Sequence, residues 1–169
     1  MKFLLLSCLL LGVMVGTAHL TCTPEFKKAY LAKNNELRAK HGVPPLTLDS
    51  TVGAVAQEWA NHIASTGQYG HRPGCKYGET IHWWPEVIPT GGAEAQLFYD
   101  GIKYYHYFGH EPDQSDFFKW GAFTQMVWKA TQKLGVGCAT HGDKFYLVAN
   151  YDPSGNYEGE YAANVLPPH

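Results

Sequence analysis

The chain has 169 residues, of which 45% are hydrophobic and 14% aromatic, and its formal net charge is −2. Once the N-terminal leader described below is removed, about 150 residues remain, which is the usual size of one domain with its own core. A small negative charge without a basic stripe argues against a nucleic-acid partner. The composition therefore predicts a single domain in which many large aromatic side chains are available for burial.

The first 18 residues have the pattern of a secretory signal peptide. Lys2 precedes a nearly continuous apolar run from Phe3 to Val15, and small residues follow up to Ala18. The run is too short for a stable membrane-spanning helix, and a membrane anchor or a buried apolar helix is the alternative interpretation. We expect cleavage after Ala18 and a secreted, extracellular domain that comprises residues 19–169.

The pattern of the remaining chain predicts helices first and a β-hairpin last. Pro24 can begin a helix that ends near His41-Gly42, and Asp49 can cap a second helix that ends near Gly67. The segment 70–92 is interrupted by prolines and is predicted to be loop. A third helix is expected over residues 93–105 and a fourth over residues 123–128. Two strands, residues 134–139 and 144–151, then flank a turn at residues 141–143.

Three cysteines lie outside the leader, and three thiols allow three single disulfide pairings. In an oxidising compartment we favour a Cys75–Cys138 bridge, because both residues lie in the predicted body of the domain whereas Cys22 lies near a terminus. Cys22 would then be free to link two chains into a dimer, and without that link the protein is expected to be a monomer. The alternative is that all three are small, partly buried residues.

Six short motifs give the chain a resemblance to a known family. The most specific is Gly121–Trp128, whose signature residues are Phe123, Thr124, Gln125 and Trp128. The others are Asn35–Leu46, Gly78–Thr80, Tyr99–Lys103, Leu134–Ala139 and Asn150–Asn156. In this order and spacing they resemble the CAP superfamily, which groups cysteine-rich secretory proteins, antigen-five venom allergens and plant pathogenesis-related proteins. The resemblance implies an α+β fold, a three-layer α-β-α sandwich.

The resemblance also implies a site, in which two histidines and two glutamates converge in a cleft that can bind a divalent metal such as zinc. His71 and Glu79 match the first histidine and the first glutamate, whereas Gly101 and Ala122 stand where the second glutamate and the second histidine are usual. One imidazole and one carboxylate fall short of the three or four protein ligands of zinc sites. We therefore expect His71 and Glu79 to be hydrogen-bonding cleft residues, with no metal, no cofactor, no catalytic residues and no enzymatic activity.

The segment 98–123 is dense in aromatic residues, some of which must lie outside the core. Adjacent residues such as Phe117 and Phe118 cannot both face one core from a regular element, so part of this set must be exposed or line a groove. Tyr99, Tyr104 and Tyr107 match a loose aromatic spacing that is likened in the family to caveolin-binding segments. These three tyrosines are the candidate surface for a lipid or a partner.

Two functions of different classes follow from these features. Members of the family bind sterols or fatty acids in apolar pockets, and an aromatic-lined concavity with few polar groups suits such ligands. The resemblance therefore implies a sterol or a fatty acid as ligand. The alternative is an extracellular recognition module that binds a protein or cell-surface partner through exposed aromatic side chains.

Overall fold

The computed structural model describes residues 22–85 and 89–169, and within these ranges it contains five α-helices and four β-strands. The predicted leader, residues 1–18, and its cleavage point lie outside the described residues. None of the described helices has the length and apolar character needed to cross a membrane. In chain order the elements are α1 (Pro24–Ala39), β1 (Thr47–Leu48), α2 (Ser50–Thr66), β2 (Gly78–Pro85), α3 (Gly92–Tyr99), α4 (Phe117–Val127), β3 (Lys133–His141), β4 (Lys144–Asp152) and α5 (Tyr161–Asn164).

The four strands form one sheet in the order β1-β3-β4-β2, with helices on both faces. β1 runs parallel to β3, while β4 is antiparallel to both of its neighbours. On one face α2 packs against β3 and β4 around Ala56, Ile63 and Val148. On the other face α1, α3 and α4 enclose the larger core, in which the ring of Phe26 meets that of Phe145 edge-on. The arrangement is the predicted α-β-α sandwich.

Glycines on β3 explain why the strand motif contains them. Gly135 and Gly137 both lie directly beneath α2, and a Cβ on either would collide with the backbone of the helix at Val52 or Ala56. Small residues at these positions let the helix approach the sheet closely, which buries the apolar face of α2. The motif therefore serves packing on this face of the sheet.

The first two helices begin where the sequence predicts. Thr23 accepts a hydrogen bond from the backbone N–H of Phe26 at 3.1 Å, and Pro24 occupies the first turn. Asp49 accepts two hydrogen bonds from the first turn of α2. The helix ends at Thr66 and is capped by Gly67, whose φ of 71° is left-handed. Local capping chemistry is therefore sufficient to place these boundaries.

One prediction about the middle of the chain was wrong, and the bounds of two predicted helices differ from those expected. The prolines of segment 70–92 indicated loop, yet Gly78–Pro85 forms β2, which pairs with β4 along all eight of its residues. The third helix is shorter than predicted, since α3 ends at Tyr99 and a 3₁₀ turn follows at Asp100–Tyr104. The fourth helix is longer and begins at Phe117. Pairing with a long neighbouring strand, a non-local effect, outweighed the local signals at β2.

Arg38 joins the end of α1 to the linker that follows this helix and to the C-terminal end of α4. The guanidinium is fully buried and donates hydrogen bonds to the carbonyl oxygens of Pro44, Met126, Trp128 and Thr131 at 2.7–3.1 Å. Burial lowers the pKa of Arg38 to about 10, which leaves the group charged at neutral pH. This one side chain connects α1, the following linker and the C-terminal end of α4.

The disulfide prediction was wrong in its choice of partner. The bridge joins Cys22 to Cys138, with the two Cα atoms 5.0 Å apart, and Cys75 is a free thiol. Cys22 is 8% exposed because the start of α1 is packed into the core, so the residue is not part of a mobile terminus. Cys22 is therefore not available to link two chains.

Candidate functional site

The main candidate site is an open cleft of about 790 Å³ at the start of β2. One group of lining residues comes from the loop after α2 and from the first residues of β2. A second group comes from the N-terminal part of α4 and from the turn after β4. The two groups comprise Tyr69–Arg72, Cys75, Tyr77–Ile81, Phe117, Phe118, Gly121, Ala122, Gln125 and Ser154–Asn156. A volume of this size is typical of sites for small organic ligands.

His71 and Glu79 form the polar centre of the cleft. The Nδ1 atom of His71 lies 2.8 Å from Oε1 of Glu79, and the backbone N–H of Arg72 donates to the same oxygen at 3.1 Å. The carboxylate side chain is 5% exposed, whereas the imidazole is 67% exposed. Oε2 of Glu79 is buried and has no hydrogen-bond partner among the described residues. The pair therefore joins a buried carboxylate to an imidazole that faces the solvent.

The loop that carries His71 is tied to neighbouring elements on both sides. The indole N–H of Trp59 donates to the carbonyl of Gly70 at 2.9 Å, and the hydroxyl of Tyr69 donates to the carbonyl of Ile81 at 3.3 Å. Burial raises the pKa of Tyr69, which keeps the phenol neutral and able to donate. These bonds hold the loop against α2 and β2, so the position of the imidazole is set by the fold.

Arg72 contributes its side chain to α2 and not to the His71–Glu79 pair. Its guanidinium contacts both carboxylate oxygens of Glu58, at 3.0 and 3.3 Å, and also lies 3.4 Å from the carbonyl oxygen of Val55. The positive charge of Arg72 is thereby matched by Glu58 on the helix. Only the backbone of Arg72 takes part in the polar centre of the cleft.

The signature motif builds the floor of the cleft. The hydroxyl of Thr124 donates a hydrogen bond to Oδ1 of Asn156 at 2.7 Å. The side-chain amide of Asn156 in turn donates to the carbonyl oxygen of Gly121, also on α4, at 2.9 Å. Oε1 of Gln125 accepts from the backbone N–H of Gly155 at 2.9 Å. These bonds attach α4 to the turn after β4, so the polar residues of the motif have a structural role.

The apolar signature residues lie in the core and not in the cleft. Phe123 is fully buried among the rings of His41, Tyr99 and Tyr105, and Trp128 is 1% exposed beside Tyr161. Their burial explains the motif through packing. The motif identified the fold, and of its residues Gly121, Ala122 and Gln125 line the cleft.

Phe117 and Phe118 form an aromatic wall of the cleft at the start of α4. Phe118 is 80% exposed and Phe117 is 39% exposed. The ring of Phe117 lies over Gly121, where an added Cβ would come within 2.6 Å of the ring. The expectation that this adjacent pair could not be wholly in the core is confirmed. Exposed apolar rings beside a concavity are a feature of ligand or partner surfaces.

Gly101 and Ala122, which stand where the family resemblance implies a glutamate and a histidine, lie in different surroundings. Ala122 lines the cleft together with His71 and Glu79. Gly101 is not among the lining residues, and an added Cβ there would lie 2.8 Å from the carbonyl oxygen of Lys119 on α4. The backbone of α4 therefore occupies the space that a side chain at Gly101 would need. The structure brings three of the four aligned positions together and excludes the fourth.

Of the three tyrosines that were predicted to form a surface, Tyr99 is buried, which contradicts the prediction, whereas Tyr104 is exposed. Tyr99 is 8% exposed, and its hydroxyl lies 2.9 Å from Nε2 of the buried His41. Tyr104 is 46% exposed, and Tyr107 is half-buried against the ring of Tyr105. The three residues share a sequence spacing but do not share a surface, because the chain changes from α-helix to a 3₁₀ turn between the first and the second.

A metal site would need a convergent set of protein ligands within the described residues, 22–85 and 89–169. No group of three or more His, Cys, Asp and Glu side chains in these ranges is arranged to hold a metal ion. His106 and His110, which lie in the aromatic segment, are exposed and do not line the cleft. The polar centre of the cleft is thus a two-residue pair.

Comparisons with known proteins agree with the fold and the motifs. The model of the CAP family, described as the cysteine-rich secretory protein family, matches residues 31–151. The chain belongs to the CAP family. It is similar to the human Golgi-associated plant pathogenesis-related protein 1, with 38% identity over 153 residues that cover 88% of this chain and 97% of the human protein.

Two further matches extend the comparison. The chain is 34% identical to Secreted protein RBT4 of Candida albicans over 160 residues, covering 85% of this chain and 41% of that protein. Among solved structures, a crystal structure of NaASP2 with Zn2+ matches with a TM-score of 0.71 and 20% identity, covering 88% of each chain. At this identity the structural match shows the shared fold.

Proposed function

We propose that this chain is a secreted, non-catalytic CAP protein that binds an amphipathic lipid, a sterol or a fatty acid, in the open cleft. The observation that carries the proposal is the pairing of an aromatic wall, Phe117 and Phe118, with one compact polar centre, His71 and Glu79, in a cleft of about 790 Å³. A cleft that sets apolar rings beside a compact pair of polar side chains suits a ligand that has one polar end.

The cleft supports binding better than catalysis. His71 and Glu79 are what remains of the four-residue set that the family resemblance implies, since Ala122 has no ligand atom in its side chain and Gly101 has no room for one. Zinc sites normally use three or four protein ligands. Hydrolysis through a covalent intermediate would need a nucleophilic side chain in contact with the base, and among the described residues none bonds to the exposed side of His71.

Secretion rests on the leader and on a relative. Residues 1–18 have the sequence pattern of a signal peptide, and RBT4 of Candida albicans is named a secreted protein. The disulfide between Cys22 and Cys138 also suits an oxidising compartment. The ligand would then be collected from extracellular fluid or from the outer surface of a membrane.

Binding of a fluorescent sterol, dehydroergosterol, and of radiolabelled palmitate to the purified protein tests the proposal. We expect saturable binding of at least one of the two, weakened roughly tenfold or more by the double replacement Phe117→Ala and Phe118→Ala, because two apolar rings of the wall are removed. Tyr157→Ala is the matched control, since Tyr157 is 52% exposed but does not line the cleft. Absence of binding by the unaltered protein would reject the proposal.

A second candidate is an extracellular recognition module that binds a protein or cell-surface partner. The exposed rings of Tyr104 and Trp83 favour it, because aromatic side chains are common anchors at interfaces. A lysine lies over each ring, Lys103 at 5.0 Å and Lys144 at 4.8 Å. Tyr104→Ala and Trp83→Ala should then reduce binding to the cell surface and leave sterol binding unchanged.

A further inference from the structure

We infer that the cleft selects a ligand whose polar end donates a hydrogen bond, and therefore an alcohol over a carboxylate. The inference rests on the proposed lipid-binding function and specifies the head group. It is carried by the hydrogen bond between His71 and Glu79, because this bond fixes which atom of the imidazole can meet a ligand.

The buried carboxylate sets the tautomer of His71. An ionised carboxylate can only accept hydrogen bonds, so the Nδ1 atom that lies 2.8 Å from Oε1 of Glu79 must carry the proton. In the neutral imidazole the second nitrogen, Nε2, then has a lone pair and no hydrogen. The cleft therefore presents an acceptor on the exposed side of the ring.

Nε2 of His71 is free to meet a ligand. The imidazole is 67% exposed, its residue lines the cleft, and no described residue bonds to Nε2. A hydroxyl group can donate to this atom. An ionised carboxylate cannot donate, and it would also approach the negative charge of Glu79.

The positively charged side chain among those that line the cleft, Arg72, does not offset this preference. The guanidinium of Arg72 is engaged by both carboxylate oxygens of Glu58, on the side of α2. A fatty-acid head group would have to compete with Glu58 for Arg72. The rings of Phe117 and Phe118 line the same cleft and can contact the apolar chain of either ligand. The difference in affinity between an alcohol and a carboxylate is therefore set by the head group.

Equilibrium dialysis with radiolabelled 1-dodecanol and radiolabelled dodecanoate at pH 8 tests the inference, since the two probes have the same number of carbons. At this pH a carboxylic acid is ionised, whereas an alcohol is neutral. We expect the alcohol to bind at least roughly tenfold more tightly than the acid, the effect of about one net hydrogen bond. Equal binding of the two, or tighter binding of dodecanoate, would overturn the inference while the proposed lipid-binding function stands.

The variant Glu79→Gln separates head-group selection from a general loss of structure. An amide can donate or accept, so it no longer fixes the tautomer of His71, and it carries no negative charge. We expect the preference for the alcohol to fall at least threefold, mainly because dodecanoate binds better. Glu36→Gln, on α1 and 54% exposed, is the control for the same change in net charge.

The results of the variant have distinct meanings. Equal weakening of both probes by Glu79→Gln would show that Glu79 only supports the fold, and it would contradict the inference. If neither probe binds to the unaltered protein, and dehydroergosterol and palmitate also fail to bind, the proposed function fails and the inference fails with it.

Discussion

Replacement of Arg38 by lysine should destabilise the protein strongly although the charge is kept. The guanidinium is fully buried and donates to the carbonyl oxygens of Pro44, Met126, Trp128 and Thr131. A lysine ammonium has three donors in a different geometry, so at least one of these four carbonyls loses its partner, and a second bond is weakened. At about 1.5–3 kcal/mol for a hydrogen bond to a charged group, we expect a loss of about 3 kcal/mol in the free energy of unfolding.

Urea denaturation of the oxidised protein, followed by tryptophan fluorescence, measures this loss. The midpoint should fall at an unchanged slope, and the melting temperature should drop by about 6–12 °C for a domain of this size. Arg72→Lys is the matched control, because Arg72 forms an ion pair near the surface and should lose less than about 1 kcal/mol. If Arg38→Lys lowers the free energy of unfolding by less than about 0.5 kcal/mol, the hydrogen bonds of the buried guanidinium do not stabilise these loops, and the prediction is refuted.

Three further predictions concern other parts of the molecule. A maleimide should modify one thiol, Cys75, in the native, unreduced protein, and labelling of two or more thiols would contradict the Cys22–Cys138 pairing. Cys22→Ser should lower the free energy of unfolding by about 4–5 kcal/mol, as expected for a bridge that spans 116 residues. Gly101→Glu should lower the free energy of unfolding by about 1–3 kcal/mol, because the backbone of α4 occupies the space that the new side chain needs. Ala122→His, in the open cleft, should leave the stability nearly unchanged. An equal loss of stability in both variants would contradict this packing. Burial lowers the pKa of His41, so on acidification the unfolded chain takes up this proton before the folded protein does. The free energy of unfolding should therefore fall as the pH drops below about 6.5, and His41→Gln should make this pH dependence weaker. An unchanged pH dependence in the variant would show that His41 is not its cause.

The sequence predicted the fold because its strongest signals are local or are short motifs with one structural meaning. Thr23, Pro24 and Asp49 place the first two helices through capping, a matter of a few neighbouring residues. β2 was missed because its partner in the sheet, β4, is distant in sequence: paired residues lie from 59 (Pro85 with Lys144) to 73 (Gly78 with Tyr151) positions apart. Prolines near the end of β2 also favour a loop in a local prediction. The disulfide was missed for the same kind of reason, since the packing of the start of α1 decides where Cys22 lies.

The candidate site was predicted in part. His71 and Glu79 do lie together, as the motif alignment indicates, and the adjacency of Phe117 and Phe118 correctly indicated exposed rings. The tyrosine spacing failed at Tyr99, because its exposure depends on a change of helix type and on a hydrogen bond to His41, neither of which a spacing rule contains. The contact of Gly101 with α4 could likewise be seen only in three dimensions.

The proposed function requires that a lipid bind in the cleft of the secreted protein. Native mass spectrometry of the protein secreted by a eukaryotic host, before and after extraction with organic solvent, tests it most directly. We predict a chain beginning at His19 that carries excess mass of a lipid with an alcohol head group, and that loses this mass on extraction. A bare chain that also fails to take up added dehydroergosterol or palmitate would contradict the account.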